Sequence, residues 1–245
     1  MPHMTSSTLP VVLVHGAWHG GWCFAALQAE LDRRGVPSFA VDLPGHGAST
    51  LPLTDLSGDA AHVADVVAAT RARNGSDVVL AGHSYGGAVI TEAAGHGDGV
   101  AHLVYLAAFA LDAGESVLGF LGAQERHDVA LALALRPRDD GSSVIDPDLA
   151  PAAFYGECPA DTVPAALARL SPQPMSTFGQ AITASPRASV ASTYVVCRRD
   201  EAIHPEHQRV MAARCTHVVE LDTDHSPFLS AVAATADVLE AVARR

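Results

Sequence analysis

Short runs of consecutive apolar residues alternate along this chain with longer segments whose apolar positions recur every three or four residues. The short runs are Pro10–His15, Val36–Leu43, Val78–Ala81, Val100–Phe109, Ser192–Cys197 and Thr216–Leu221. Runs of that length without polar alternation predict strands buried on both faces. Between them the spacing is helical. Leu27 and Leu31 lie at i, i+4 in a segment ending near Arg34-Gly35, where the glycine supplies the C-terminal stop. Val63, Val66, Val67 and Thr70 share a face of the next helix, with Ser57 as its expected cap. Gly87-Ala88-Val89-Ile90 reads as a further helix start. Ser226-Pro227 predicts an N-cap with proline at the first position of a last helix, which turns Leu229, Val232, Ala236 and Leu239 inward. Strands alternating with helices predict an α/β fold, with about six parallel strands in one sheet and helices on both faces.

One stretch breaks this rhythm. Residues 110–191 place roughly 80 residues between two strands where a simple crossover needs far fewer. The stretch is rich in Ala, Leu, Pro and Asp, and helical pieces are expected near Glu115–Leu135 and Asp161–Leu170. An insertion at this point sits over the carboxyl ends of the strands, where open α/β sheets bind ligands. The expected organisation is therefore a core of residues 1–109 and 192–245 with a helical lid of residues 110–191. No internal repeat and no linker divides the core further.

Composition narrows the function classes. The chain has 245 residues, 49% hydrophobic and 17% charged, enough for one large domain with a full core. A formal charge of −12 with no lysine argues against nucleic acid as a partner. No apolar run reaches the length of a membrane span, and Met1–Pro10 lacks a basic segment followed by an apolar one. A soluble, cytoplasmic protein is expected. Cys23, Cys158, Cys197 and Cys215 form no C-x-x-C pair and read as scattered reduced thiols. The pairs His15/His19 and His204/His207 have ligand-like spacing but lack the companions of a zinc motif, so no metal is expected.

The candidate chemistry starts at Val78–Gly87, V-V-L-A-G-H-S-Y-G-G. Here G-x-S-x-G follows a strand and precedes a helix, the context of a nucleophile elbow. Such a turn forces a strained backbone on Ser84 and lifts its hydroxyl to the mouth of the sheet. Gly82 and Gly86 leave room for the neighbouring backbone. The Tyr85 backbone N–H is placed to stabilise an oxyanion, and Ala17, in the loop after the first strand, is the candidate second donor. Gly16 lets that loop approach a substrate without a Cβ in the way. Trp18, His19 and Trp22 are candidates for the pocket wall or for aromatic packing under the lid.

A serine hydroxyl needs a base, and the base needs an orienting acid. His225, four residues past Leu221 and just before the last helix, fits the base better than His204, His207 or His217. Asp200 ends the fifth strand and is the first candidate for the acid. Asp112, after the fourth strand, is the second, while Asp222 and Asp224 lie too close to His225 in sequence. His83, beside the candidate nucleophile, reads as a hydrogen-bonded structural residue.

With these residues placed, the chain resembles the α/β-hydrolase superfamily, and within it the branch of plant methylesterases, hydroxynitrile lyases and their bacterial esterase homologues. The matching stretches are V-L-V-H-G-A-W-H-G-G-W-C (12–23), D-L-P-G-H-G-A-S (42–49), G-H-S-Y-G-G (82–87), L-V-Y-L-A-A-F (103–109), V-C-R-R-D-E-A-I (196–203) and D-H-S-P-F-L (224–229). The resemblance implies a triad of Ser84, Asp200 and His225, with an oxyanion hole at Ala17 and Tyr85. Phe154–Pro159 and Leu170–Pro174 resemble the lid of the bacterial members, which adds Phe154 and Tyr155 to the pocket candidates. The expectation is a cofactor-independent serine hydrolase that cleaves a small, fairly apolar carboxylic ester through an acyl-enzyme. The alternatives are a biosynthetic tailoring enzyme on the same triad, a lyase, and a low-turnover binding protein. Lyases of this branch resemble the esterases but carry threonine and lysine where this chain has Gly16 and Ser226, which disfavours cyanide chemistry here.

Overall fold

The computed structural model describes residues 8–245. Four strands come first: β1 (Val11–Val14), β2 (Ser38–Val41), β3 (Val78–His83) and β4 (Val100–Leu106). Three short ones follow, β5 (Leu135–Pro137), β6 (Ser142–Ile145) and β7 (Gln173–Pro174), and then β8 (Ala191–Cys197) and β9 (His217–Leu221). The main sheet has six strands in the order β2-β1-β3-β4-β8-β9, with every pairing parallel. Helices α1 (Ala25–Arg33), α2 (Leu56–Asn74) and α3 (Gly86–Gly95) follow β1, β2 and β3 in turn. The insertion carries α4 (Val117–Ala123), α5 (Ala130–Ala134), α6 (Ala150–Phe154), α7 (Val163–Leu167) and α8 (Ser176–Gly179). Helix α9 (Pro205–Ala212) joins β8 to β9, and α10 (Pro227–Ser230) and α11 (Val232–Ala243) end the chain. Among the described residues no helix is long and apolar enough to cross a membrane.

Alternate residues of each strand feed two separate cores. Val12, Val14, Leu80, Tyr105 and Tyr194 pack with Val63 and Val67 of α2 and Val89 of α3. Val11, Leu13, Val79, Val104 and Val195 pack on the other face with Leu27 and Leu31 of α1 and Leu239 and Val242 of α11. Both faces are covered, which is why the strands read as unbroken apolar runs. Each fully buried aliphatic side chain contributes about 1.5–3 kcal/mol of burial free energy. The edge strands are less covered: β2 is half-buried at Ser38, Phe39 and Ala40, and β9 is more open still. Its His217, Val218 and Glu220 are exposed, and Glu220 pairs with Arg209 across the surface at 3.1 Å.

Several local expectations are corrected. Strand β4 stops at Leu106 rather than Phe109, because Ala107 turns to φ 43. The cap of α2 is Asp55, whose carboxylate accepts the Gly58 N–H at 2.9 Å, while Ser57 lies within the helix and accepts from Gln180 Nε2 at 2.8 Å. Ser226 makes no side-chain cap bond, and Ala231 (φ −135, ψ 46) splits the expected last helix into α10 and α11. The insertion is less helical than expected. Gln124–Val129 separates α4 from α5, and β5, β6 and β7 form a small antiparallel sheet. Strands of two to four residues are too short for a period of two to show in sequence.

The strand order reverses between β1 and β3, since the chain leaves β1 towards β2 and later returns on the other side. In open parallel sheets the crevice beyond the carboxyl ends of such a pair is the usual place for a ligand. Here that crevice lies between the loop after β1 and the turn after β3.

Candidate active site

The turn between β3 and α3 holds Ser84 at φ 54. That left-handed backbone costs a non-glycine residue about 1–3 kcal/mol and persists only where the surroundings over-determine it. They do so here. The Ser84 N–H donates to Leu106 O at 3.3 Å, and the Ser84 carbonyl accepts from Gly87 N–H and Phe109 N–H, each at 3.0 Å. A Cβ on Gly82 would lie 2.5 Å from Gly86 O, and one on Gly86 would lie 2.6 Å from both Val14 O and His15 O. Only glycine fits either position.

Asp200 and His225 are brought together at the ends of β8 and β9. Asp200 is 2% exposed, and both of its oxygens are fully engaged. Oδ1 accepts the Ala202 and Ile203 N–H groups at 2.7 and 2.8 Å. Oδ2 accepts from Gln208 Nε2 at 2.8 Å and from His225 Nδ1 at 2.7 Å. A carboxylate only accepts, so Nδ1 carries a proton, and in the neutral ring it is Nε2 that presents the lone pair. His83, the residue before Ser84, donates its Nε2–H to the His225 carbonyl at 2.8 Å, which pins His225 beside the elbow. Burial drives the His83 imidazole well below its ordinary range, so it stays a neutral strut. Among the described residues no hydrogen bond yet joins Ser84 to His225. Such bonds are commonly long before substrate arrives.

The other acids and histidines lie elsewhere. Asp112 is exposed and paired with Arg187 and Arg214. Asp222 is a surface partner of Arg198 and Arg199. Asp224 is buried and joins the turn before α10 to the insertion, accepting from Ser226 N–H at 3.0 Å and Glu157 N–H at 2.8 Å. His204 caps α9 and stacks on His127 at 3.9 Å, while His207 donates to Glu125 O at 2.7 Å. His217 sits exposed at the start of β9. Among the described residues no group of three or more His, Cys, Asp or Glu side chains is poised to hold a metal ion.

The loop after β1 faces Ser84 from the other side. His15 donates Nδ1–H to Gly16 O at 2.8 Å and accepts the Leu43 N–H on Nε2 at 3.1 Å. Burial pushes its pKa down to about 3. Trp18 adopts φ 63, a second strained residue costing about 1–2 kcal/mol. The backbone N–H groups of Ala17 and Tyr85 make no hydrogen bond among the described residues, and both residues line one cavity with Ser84. The cavity holds about 130 Å³ and is walled by Trp18, Phe109, Leu121, Met175 and Phe178, with no charged side chain in its lining. Of the pocket candidates only Trp18 is in the wall. His19, Phe154 and Tyr155 are buried behind it in one aromatic cluster that includes His225. Gly16 is also outside the lining and packs against Ser84.

Sequence reasoning missed two supporting residues. Gln208 braces Asp200 while its Oε1 accepts the Cys197 N–H at 2.9 Å, and only its place on the helix opened by Pro205 hinted at this. Asp59 accepts the Tyr85 hydroxyl at 2.7 Å in a site that pushes its carboxyl up to about 7 through burial. Nothing in the sequence distinguishes Asp59 from a surface acid of α2.

A family model described as the alpha/beta hydrolase family matches residues 11–238. The chain belongs to that family. An alpha/beta hydrolase of Aspergillus novofumigatus is 29% identical over 239 residues, covering 90% of each chain. Methylesterase 1 of Arabidopsis thaliana is 29% identical over 238 residues, covering 89% of each. The solved structure of a pyrethroid hydrolase from Sphingobium faniae superposes with a TM-score of 0.84 at 28% identity, covering 96% of this chain and 97% of that one. As an alpha/beta hydrolase, this chain carries its elbow serine at the strand–helix turn where the fold's nucleophile is found.

Proposed function

We propose that the protein is a serine esterase that cleaves a small, uncharged carboxylic ester through an acyl-enzyme. The observation that carries this reading is the buried Asp200–His225 hydrogen bond of 2.7 Å, with His225 pinned beside the Ser84 elbow by His83. His225 Nε2 takes the proton as Ser84 Oγ adds to the ester carbonyl. The resulting oxyanion is met by the N–H groups of Ala17 and Tyr85. His225 then passes the proton to the leaving alkoxide, the alcohol departs, and water repeats the sequence to release the acid and free Ser84. Asp200 holds the imidazole tautomer throughout. The apolar cavity supports an uncharged acyl or alcohol group, because a charged one would lose its hydration there without a partner. The insertion acts as the lid over that cavity. Similarity to proteins named as a methylesterase and a pyrethroid hydrolase supports ester cleavage over the lyase alternative.

The test is a fluorophosphonate probe together with a panel of aryl, methyl and lactone esters. Ser84 should label stoichiometrically, and Ser84→Ala should lose both labelling and turnover. Labelling at another serine, or full turnover by the alanine variant, would refute the mechanism.

A further inference from the structure

The loop after β1 is held by the insertion as well as by the core. The Ser171 N–H donates to the Trp18 carbonyl at 2.9 Å, and Trp18 Nε1–H donates to Ser143 Oγ at 3.2 Å. The third link runs through His19. Its Nδ1 lies 2.8 Å from Ala17 O and its Nε2 lies 2.8 Å from the Tyr155 hydroxyl. A carbonyl oxygen only accepts, so Nδ1 bears the proton, Nε2 accepts, and the Tyr155 O–H donates. Burial pushes the His19 imidazole down to about 4, which keeps this neutral tautomer in place at pH 7. His19 is 1% exposed and Tyr155 3%, so water cannot easily replace either partner.

The same histidine reaches the peptide that matters for catalysis. The His19 backbone N–H donates to Gly16 O at 3.4 Å, and His15 Nδ1–H donates to that oxygen at 2.8 Å. Gly16 C=O and Ala17 N–H belong to one planar peptide, so fixing the carbonyl fixes the direction of the N–H. His15 from the core and His19 from the loop therefore both bear on the direction of the Ala17 N–H.

We infer that Tyr155 and His19 are positioning residues for the oxyanion hole, so that seating of the insertion, and not the core alone, sets the aim of the Ala17 N–H. This rests on the serine-esterase reading above. Tyr155 touches no reacting atom; it acts through His19, and its contribution belongs to the transition state rather than to substrate binding.

The experiment compares the full-length protein with Tyr155→Phe, His19→Gln and the double variant. The readouts are turnover of p-nitrophenyl butyrate, inhibition by an arylboronic acid that forms a tetrahedral adduct on serine, and the melting temperature. Tyr155→Phe should lower kcat about tenfold, less than the hundred- to thousandfold loss of a whole donor. KM should stay unchanged, and the boronic acid should weaken by the same factor. The double variant should be no worse than the poorer single one, as expected of residues in one chain of contacts. Wild-type kcat in Tyr155→Phe overturns the inference, as does a raised KM with unchanged kcat, which would mark Tyr155 as packing only. If Tyr155→Phe does not fold, Ser143→Ala carries the test through the indole link, with a smaller kcat loss expected and no loss overturning the proposal. A wild-type protein that neither labels with fluorophosphonate nor turns over esters refutes the esterase reading itself. Labelling and turnover with an indifferent Tyr155→Phe refute only the present inference.

Discussion

The two sides of the candidate site are supported in opposite ways. On one side, Asp200 and His225 stand on the ends of β8 and β9, and every bond on Asp200 comes from the core chain or from Gln208 of α9. On the other side, the Gly16–Gly20 loop contains a strained Trp18 and is tied to Tyr155, Ser171 and Ser143 of the insertion. The Asp200–His225 side is thus prefabricated by the sheet. The loop side, where the proposed oxyanion donor Ala17 sits, is completed by a segment that contributes no strand to that sheet. On the proposed esterase reading, a change in the insertion that alters the substrate also bears on how well the carbonyl oxygen is met.

The sharpest way to break this contrast is at the acid. Asp200→Asn should leave the protein folded and lower turnover by about 10⁴, the loss seen when a triad acid becomes an amide. Asp112→Asn, at an exposed ion pair, should change turnover little. Reversed results in a steady-state ester assay would move the acid to the end of β4 and remove the core-built side of the comparison.

A smaller effect is expected on the loop. A Cβ at position 16 would lie 2.8 Å from Ser84 Cβ and 3.1 Å from His83 Nδ1, so a threonine there must displace the elbow or the loop. Gly16→Thr should lower kcat/KM by about a hundredfold, the cost of a misplacement near 1 Å. Wild-type kinetics in that variant would mean the crevice is looser than its contacts imply.

The smallest effect is on stability against pH. Burial pushes His15 and His19 down to about 3 and about 4 in the folded chain, and it also lowers His46, His83, His102 and His204. The unfolded chain binds more protons at these groups once the pH drops below about 6.5. Their contribution is present above that pH and is lost on acidification towards 4 and 3. Asp59, raised to about 7, acts in the opposite sense: its contribution is full below about 3.8 and disappears as pH rises through 7. Six groups against one predict a net loss of unfolding free energy between pH 7 and pH 5, and Asp59→Asn should steepen it. Urea titrations showing equal stability at both pH values would contradict this balance.

Much of the sheet was legible because its strands are buried on both faces and leave long apolar runs. Ser84 was legible because its turn demands glycine at 82 and 86, a constraint written in residue identity. Asp200 and His225 were legible by place in the chain order, with family likeness deciding between Asp200 and Asp112. The supports were not. Gln208, Asp59 and the His19–Tyr155 pair act across 8, 26 and 136 residues of sequence, and nothing in local composition marks a polar residue that finds a distant partner. The small sheet of the insertion was hidden for the same reason, since its pairing lies in backbone contacts between segments too short to carry a pattern.

The chain has only two tryptophans, Trp18 within the loop after β1 and Trp22 just beyond it. Trp18 is buried between Phe154 and Phe178 of the insertion, and half-buried Trp22 lies under the Arg169 guanidinium at 4.8 Å. Every tryptophan photon from this protein therefore originates at the seam between core and insertion. Its intrinsic emission is a local optical gauge of that seam, readable in stopped flow without an attached dye.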